Sequence, residues 1–190
     1  MRSPIDDVLY LGRILLISNG CEMTGLYFVG QKYAAVPASD WVAQTRAAPF
    51  AQARTELSEY FAGKRKRFDV PLAPSGTAFQ TRVWQALGAI PCGTTRTYAE
   101  LAQCLGAPRS VRAVAAAVGR NPIALVVPCH RVIGSDGSLT GYAGGLTRKH
   151  ALLELEGGFW EARVATWKTG GSQRSRALCR APAGKPCGTD

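Results

Sequence analysis

Histidine is the scarcest of the chemistry-bearing residues in this 190-residue chain, with only His130 and His150 present. The six cysteines, Cys21, Cys92, Cys104, Cys129, Cys179 and Cys187, contain no Cys-x-x-Cys pair. A zinc finger or a structural zinc site is therefore not expected. Long apolar runs are missing too. The longest, Ala113–Val118 and Ile123–Val127, fall far short of the roughly 18 residues that a membrane-spanning helix needs. The first residues carry only Arg2 and then two acids before a short apolar run, which does not read as a signal peptide. Without one, a disulfide framework is not expected, and free thiols in a reducing cytoplasm are. No internal repeat is visible.

Acidic residues are also few. Lys plus Arg number 23 against 13 Asp plus Glu, a formal net charge of +10 with a pI near 9.7. Such a balance suits a polyanionic partner, most simply nucleic acid. The excess is uneven. Residues 1–75 hold nine basic and seven acidic groups, residues 76–159 eight and four, and residues 160–190 six and two.

What is present divides the chain into three. In residues 1–75, Asp7–Ser18 and Glu22–Val29 are strand-like and flank Asn19-Gly20, a strong hairpin signal. Phe50, Ala53, Leu57, Tyr60 and Phe61 are spaced as one face of a helix that Gly63 closes. Lys64–Arg67 reads as a solvated basic cluster and Phe68–Val70 as a short strand. Pro71–Gly76 reads as a linker into residues 76–159. There Phe79, Val83, Trp84, Leu87 and Ile90 form a helical stripe, and Thr97-Tyr98-Ala99-Glu100 is a capping box opening a helix over Tyr98–Leu105. After the Gly106-Ala107-Pro108 turn, the next helix is predicted over Pro108–Val118. The pair makes a helix-turn-helix candidate, its second helix rich in alanine and bearing Arg109 and Arg112. Asn121-Pro122 breaks it, and Ile123–Val127 reads as a buried strand delivering Pro128-Cys129-His130-Arg131. A loop with five glycines in twelve residues, Gly134–Gly145, leads to a final helix over Arg148–Glu156. Residues 160–190 are basic, poor in large apolar groups and expected to be disordered.

Cys129 is the candidate nucleophile. Neighbouring positive charge lowers a thiol pKa from about 8.5, an imidazole can take its proton, and a carboxylate can hold that imidazole in the useful tautomer. In a strand, adjacent side chains point to opposite faces, so His130 reaches Cys129 only if the chain bends or a water bridges them. Glu154 and Glu156 are both candidates to orient His130.

The run Ile123-Ala-Leu-Val-Val-Pro-Cys-His-Arg-Val-Ile133 resembles the active-site signature of the O6-alkylguanine-DNA alkyltransferases. Gly76–Trp84 with Ile90-Pro-Cys-Gly93, Thr97–Ala102 with Val111–Val114, Asn121-Pro122, Gly141–Leu146 and Leu152–Gly157 extend the resemblance across residues 76–157. It implies an α+β chain: a small N-terminal sheet-plus-helix domain, then a mostly helical domain with a winged helix-turn-helix and an active-site strand. It also implies roles. Cys129 accepts the alkyl group, His130 takes the thiol proton through a water, Glu156 orients His130, and Tyr98 donates a proton toward the departing guanine. Arg112 fills the stack when a base is flipped, and Ala107, Ser135, Gln80 and Tyr98 contact DNA. Asn121 ties the helix-turn-helix to the active-site strand, and Asn121, Arg131, Tyr142 and Gly144 are structural or pocket residues. The implied substrate is O6-alkylguanine, with O4-alkylthymine beside it, in double-stranded DNA bound through the minor groove by a monomer. No cofactor and no metal is implied. The relatives' N-terminal zinc site is not expected either, since no His precedes His130.

The chemistry suits those residues. Displacement at an alkyl carbon needs a soft nucleophile, the leaving guanine needs a proton donor, and a base inside a duplex must first be extruded. The rivals are a cysteine peptidase or amidase, whose base usually lies far along the chain from the nucleophile, and a DNA-binding regulator without chemistry.

Overall fold

The computed structural model describes residues 11–36, 39, 41–43 and 48–157. The predicted disordered tail, Cys179 and Cys187 lie outside the described residues. Strands β1 (Ile14–Ser18) and β2 (Met23–Phe28) pair antiparallel, with Ile14 opposite Phe28 and Leu16 opposite Leu26. The turn is longer than a two-residue Asn-Gly hairpin. Asn19 Oδ1 accepts the backbone N–H groups of Cys21 and Glu22 at 3.0 and 2.8 Å, and the register shifts at Ser18. Helix α1 (Ala48–Phe61) buries the anticipated stripe of Ala53, Leu57, Tyr60 and Phe61.

One expectation between α1 and the second half is corrected. Phe68–Val70 is not a strand, because the N–H groups of Asp69 and Val70 bond to the buried Glu56 carboxylate at 2.8 and 3.3 Å. The segment read as a linker is stitched to β2: Met23 donates to the Pro71 carbonyl, and Ala73 donates to that of Met23.

Helix α2 (Ala78–Gly88) opens with a Thr77/Gln80 capping box and buries Val83, Trp84 and Leu87. The short strand β3 (Arg96–Thr97) runs into α3 (Tyr98–Cys104), whose Thr97/Glu100 capping box is formed as predicted. Helix α4 covers Val111–Gly119, starting three residues later than expected. Ser110 N–H closes a turn onto Ala107, and the first helical bond runs from Val114 to Ser110, so Pro108 stays in the connection. The Trp84 indole donates to the Ala117 carbonyl at 2.9 Å, fixing α2 against α4.

The strand expected at Ile123–Val127 does not form. Ile123 makes a single bridge to Leu26. Leu125 then takes a left-handed conformation (φ 69°), and Val127 bonds back to Ile123. Cys129–Arg131 is one turn of 3-10 helix, followed by β4 (Val132–Ile133), which pairs parallel with β3. Helix α5 (Leu146–Leu155) completes the described chain. A continuous core joins Leu26, Phe28, Leu57 and Tyr60 to Val83, Trp84, Leu101, Val114, Leu125 and Leu152. Among the described residues, no helix is long and apolar enough to cross a membrane.

Candidate active site

Asn121 follows α4 and organises the turn beyond it. Its amide nitrogen donates to the Val127 carbonyl at 2.7 Å and to Cys129 Sγ at 3.1 Å, while its oxygen accepts the Ile123 N–H at 3.0 Å. The side chain thus replaces the missing strand partners and delivers a donor to the sulfur. Cys129 is almost fully buried. Burial pushes its thiol pKa up, and the Asn121 hydrogen bond and the Lys149 charge oppose that.

The 3-10 turn, not a strand, carries both Cys129 and His130. His130 is completely buried, and burial lowers its pKa, so the ring is neutral. Nε2 lies 2.9 Å from Glu156 Oε1. Because Glu156 is ionised, Nε2 carries the proton and Nδ1 the lone pair. Nδ1 is buried without a hydrogen-bond partner, the state a general base requires.

Glu156 caps α5 and is the centre of the polar core. Burial would raise its pKa, but bonds from His130 and Arg131 outweigh this and hold it far below the usual carboxylate range. Oε1 accepts from Tyr60 and Arg131 at 2.7 Å each, and Oε2 accepts from Arg131 Nε at 2.8 Å and Gly93 N–H at 3.2 Å. Arg131 also donates to the Ile90 carbonyl at 2.6 Å. It therefore braces the carboxylate, a structural part in the site. Glu154 is exposed and pairs with His150 at 3.2 Å, so of the two candidate carboxylates only Glu156 reaches His130.

Next to the thiol is an open groove of about 700 Å³, lined by Tyr98, Arg112, Ala115, Ala116 and the Thr140–Gly145 loop. Cys129 is near enough to Tyr98 and Tyr142 on its walls that a thiolate there pushes both hydroxyl pKa values up. The Tyr98 hydroxyl donates to the carbonyls of Thr140 and Gly141 at 3.2 and 3.1 Å, and burial pushes its pKa up to about 12. Tyr142 Oη is buried with no partner. Gly144 leaves room for it: a Cβ there would come within 2.7 Å of the Tyr142 ring. Arg112, Ala113 and Ala116 are exposed on α4. Three anticipated DNA contacts stand apart from the groove. Gln80 caps α2, Ala107 lies in the α3–α4 connection, and Ser135 is on the exposed turn after β4.

Two residues of this site went unremarked in the sequence. Lys149 is fully buried and donates to the Val132 and Thr140 carbonyls at 2.6 Å each, tying the Cys129 segment to the groove loop. Burial pushes its pKa down to about 8. Its signal was available: it lies three and four positions before Leu152 and Leu153, on the apolar face of α5. Tyr60 gave no such signal, being 96 residues from Glu156.

Two family models match, together covering most of the chain. Residues 9–74 fit the 6-O-methylguanine DNA methyltransferase ribonuclease-like domain, and residues 78–158 fit the DNA binding domain of the same proteins. A methylated-DNA–protein-cysteine methyltransferase of Methanosarcina barkeri is 52% identical over 147 residues, covering 77% of this chain and 91% of the relative.

The chain belongs to the 6-O-methylguanine DNA methyltransferase family.

Other members agree with that assignment. The methylated-DNA–protein-cysteine methyltransferase of Mycobacterium leprae is 49% identical over 82% of this chain and 89% of its own length. Among solved structures, Mycobacterium tuberculosis OGT in complex with DNA is similar with a TM-score of 0.72 and 47% identity, covering 82% of this chain and 89% of that one. As a methyltransferase-family site, the constellation has each part the chemistry calls for: a thiol with a donor on its sulfur, a neutral imidazole anchored by an ionised carboxylate, and a tyrosine hydroxyl across an open groove.

Proposed function

We propose that this chain repairs DNA by direct reversal, transferring the alkyl group of O6-alkylguanine irreversibly to Cys129. The observation that carries the reading is the buried Glu156–His130 pair, with the unpartnered Nδ1 of His130 one residue along the 3-10 turn from a thiol that accepts a hydrogen bond from Asn121. His130 takes the thiol proton through a water, and Glu156 stabilises the imidazolium that results. The thiolate sulfur attacks the alkyl carbon, the S–C bond forms as the C–O6 bond breaks, and the electron pair stays with the guanine. Tyr98 faces that leaving group. With its pKa raised to about 12, its role is hydrogen-bond donation to the ring as negative charge develops, and guanine completes its proton balance from solvent.

The product is a thioether that no group here is equipped to cleave, so each molecule acts once. The target atom lies inside a duplex, so the base must be flipped into the groove. Arg112, exposed at the start of α4, fills the gap by stacking. The small Ala113 and Ala116 beside it let α4, as the second helix of a helix-turn-helix, approach a minor groove closely. In this division of labour residues 76–159 carry the chemistry and residues 1–75 brace it. Cysteines that form no disulfide among the described residues suit a reducing, cytoplasmic setting, and O4-alkylthymine is a second substrate.

Intact mass after incubation with duplex DNA containing O6-methylguanine tests the reading. A gain of one methyl, on the peptide holding Cys129, is expected. Turnover of a peptide or amide through a thioester, with no stable methyl adduct, would replace it with hydrolase chemistry.

A further inference from the structure

The groove has a wall that does not come from the helical half of the chain. Gly30, Lys32 and Tyr33, in the turn leaving β2, line it together with Arg112, Ala115 and Ala116 of α4. The turn is fastened at two points. Lys32 N–H donates to the Ala143 carbonyl at 3.1 Å, which joins it to the loop carrying Tyr142. Arg120, one residue beyond α4, lies 5.8 Å over the Tyr33 ring. Tyr33 is 65% exposed and left-handed (φ 59°), a conformation uncommon for a bulky residue and kept only where its surroundings enforce it. The groove lining contains no carboxylate. The Lys32 ammonium is exposed, and no carboxylate of the described residues pairs with it.

The geometry points to the β2 turn as a second DNA-contacting wall, in which Lys32 neutralises a backbone phosphate of the strand carrying the extruded nucleotide. This rests on the alkyl-transfer reading of the same groove. A nucleotide swung in beside Tyr142 brings its flanking phosphates to the rim that Ala143 forms, and Lys32 is bonded to that rim through its own backbone. Arg112 and Lys32, which line the same groove, then both hold the strand. Tyr33, held under Arg120, fixes the turn against the end of α4. Such a contact adds affinity independent of base sequence and sensitive to salt.

The test is the salt dependence of binding to duplex DNA containing O6-methylguanine, using the full chain and its Lys32→Gln, Lys32→Arg and Lys64→Gln variants. Losing one phosphate contact should flatten the slope of log K against log salt by about 0.9 in Lys32→Gln, with a several-fold loss of affinity at low salt. Lys32→Arg should restore the slope. Lys64→Gln, an exposed cation after α1, should leave it at the wild-type value. An unchanged slope in Lys32→Gln, or an equal change in Lys64→Gln, overturns the proposal. Failure of the wild-type chain to gain a methyl from the same DNA overturns instead the functional reading beneath it.

Discussion

The Tyr60 hydroxyl donates to Glu156 Oε1 at 2.7 Å, the same oxygen that lies 2.9 Å from His130 Nε2. One carboxylate oxygen therefore serves both a helix of the N-terminal region and the His130 imidazole. Tyr60 is buried and its own pKa is raised, by burial first and then by the Glu156 charge, so it stays a donor throughout the working pH range. Its bond draws electron density from the carboxylate and tempers the pull of Glu156 on His130.

Tyr60→Phe should release that restraint. The imidazolium becomes easier to form, so the acid limb of the alkyl-transfer rate should move to higher pH, since His130 must be neutral to accept the thiol proton. Loss of a hydrogen bond to a buried charged group should also cost about 1.5–3 kcal/mol of stability. Rate against pH, together with denaturant unfolding, measures both. A destabilised variant whose pH profile does not move would make Tyr60 a packing residue only.

Cys129→Ala should abolish alkyl transfer while DNA binding persists. The groove and the exposed face of α4 do not depend on the sulfur. Peptide mapping after exposure to O6-methylguanine DNA is the check. A methyl group found on Cys92 or Cys104 in the variant would refute the assignment of the acceptor.

Arg112→Ala should lose far more activity on duplex DNA than on the free base O6-benzylguanine, because a wedge is needed only where a base must leave a stack. The ratio of the two rates is the readout. Equal losses on both substrates would assign Arg112 a structural role.

Lys149 supplies a pH-dependent stability term whose sign can be worked out. Its pKa falls from 10.5 in the unfolded chain to about 8 in the folded one, through burial. Between those values the unfolded state holds more protons, so stability rises with pH across the window. The burial penalty is full below about pH 8 and is relieved as pH climbs toward 10.5. A neutral amine still has two N–H donors for the Val132 and Thr140 carbonyls. Lys149→Met, which does not titrate, should lose ground to the wild type progressively over that range in denaturant unfolding. A difference between the two that stays constant with pH would contradict the shift.

Much of this protein was settled by local sequence. The Thr97/Glu100 capping box sets where α3 begins because both of its hydrogen bonds lie within one turn, and a Thr and a Glu three residues apart suffice to make them. The apolar spacing in α1 and α2 set which faces are buried for the same local reason. Cys129 and His130 were legible as a pair because they are adjacent. The conformation that makes them useful was not. Ile123–Val127 has the composition of a strand, but only one of its residues finds a strand partner. Ala124 still donates to the Leu26 carbonyl, but Val126 and Val127 bond back onto the segment, and the Asn121 amide bonds to Val127 and to the thiol at once. The family resemblance named Glu156 over Glu154, but the physical reason for that choice is tertiary. Both carboxylates end the same helix, but its rotation buries one and exposes the other. The contributions of Tyr60 and Lys32 come from the first third of the chain. They reach the site only because one continuous core joins the two halves, and a hydrogen bond spanning 96 residues leaves no periodic mark on either of its ends.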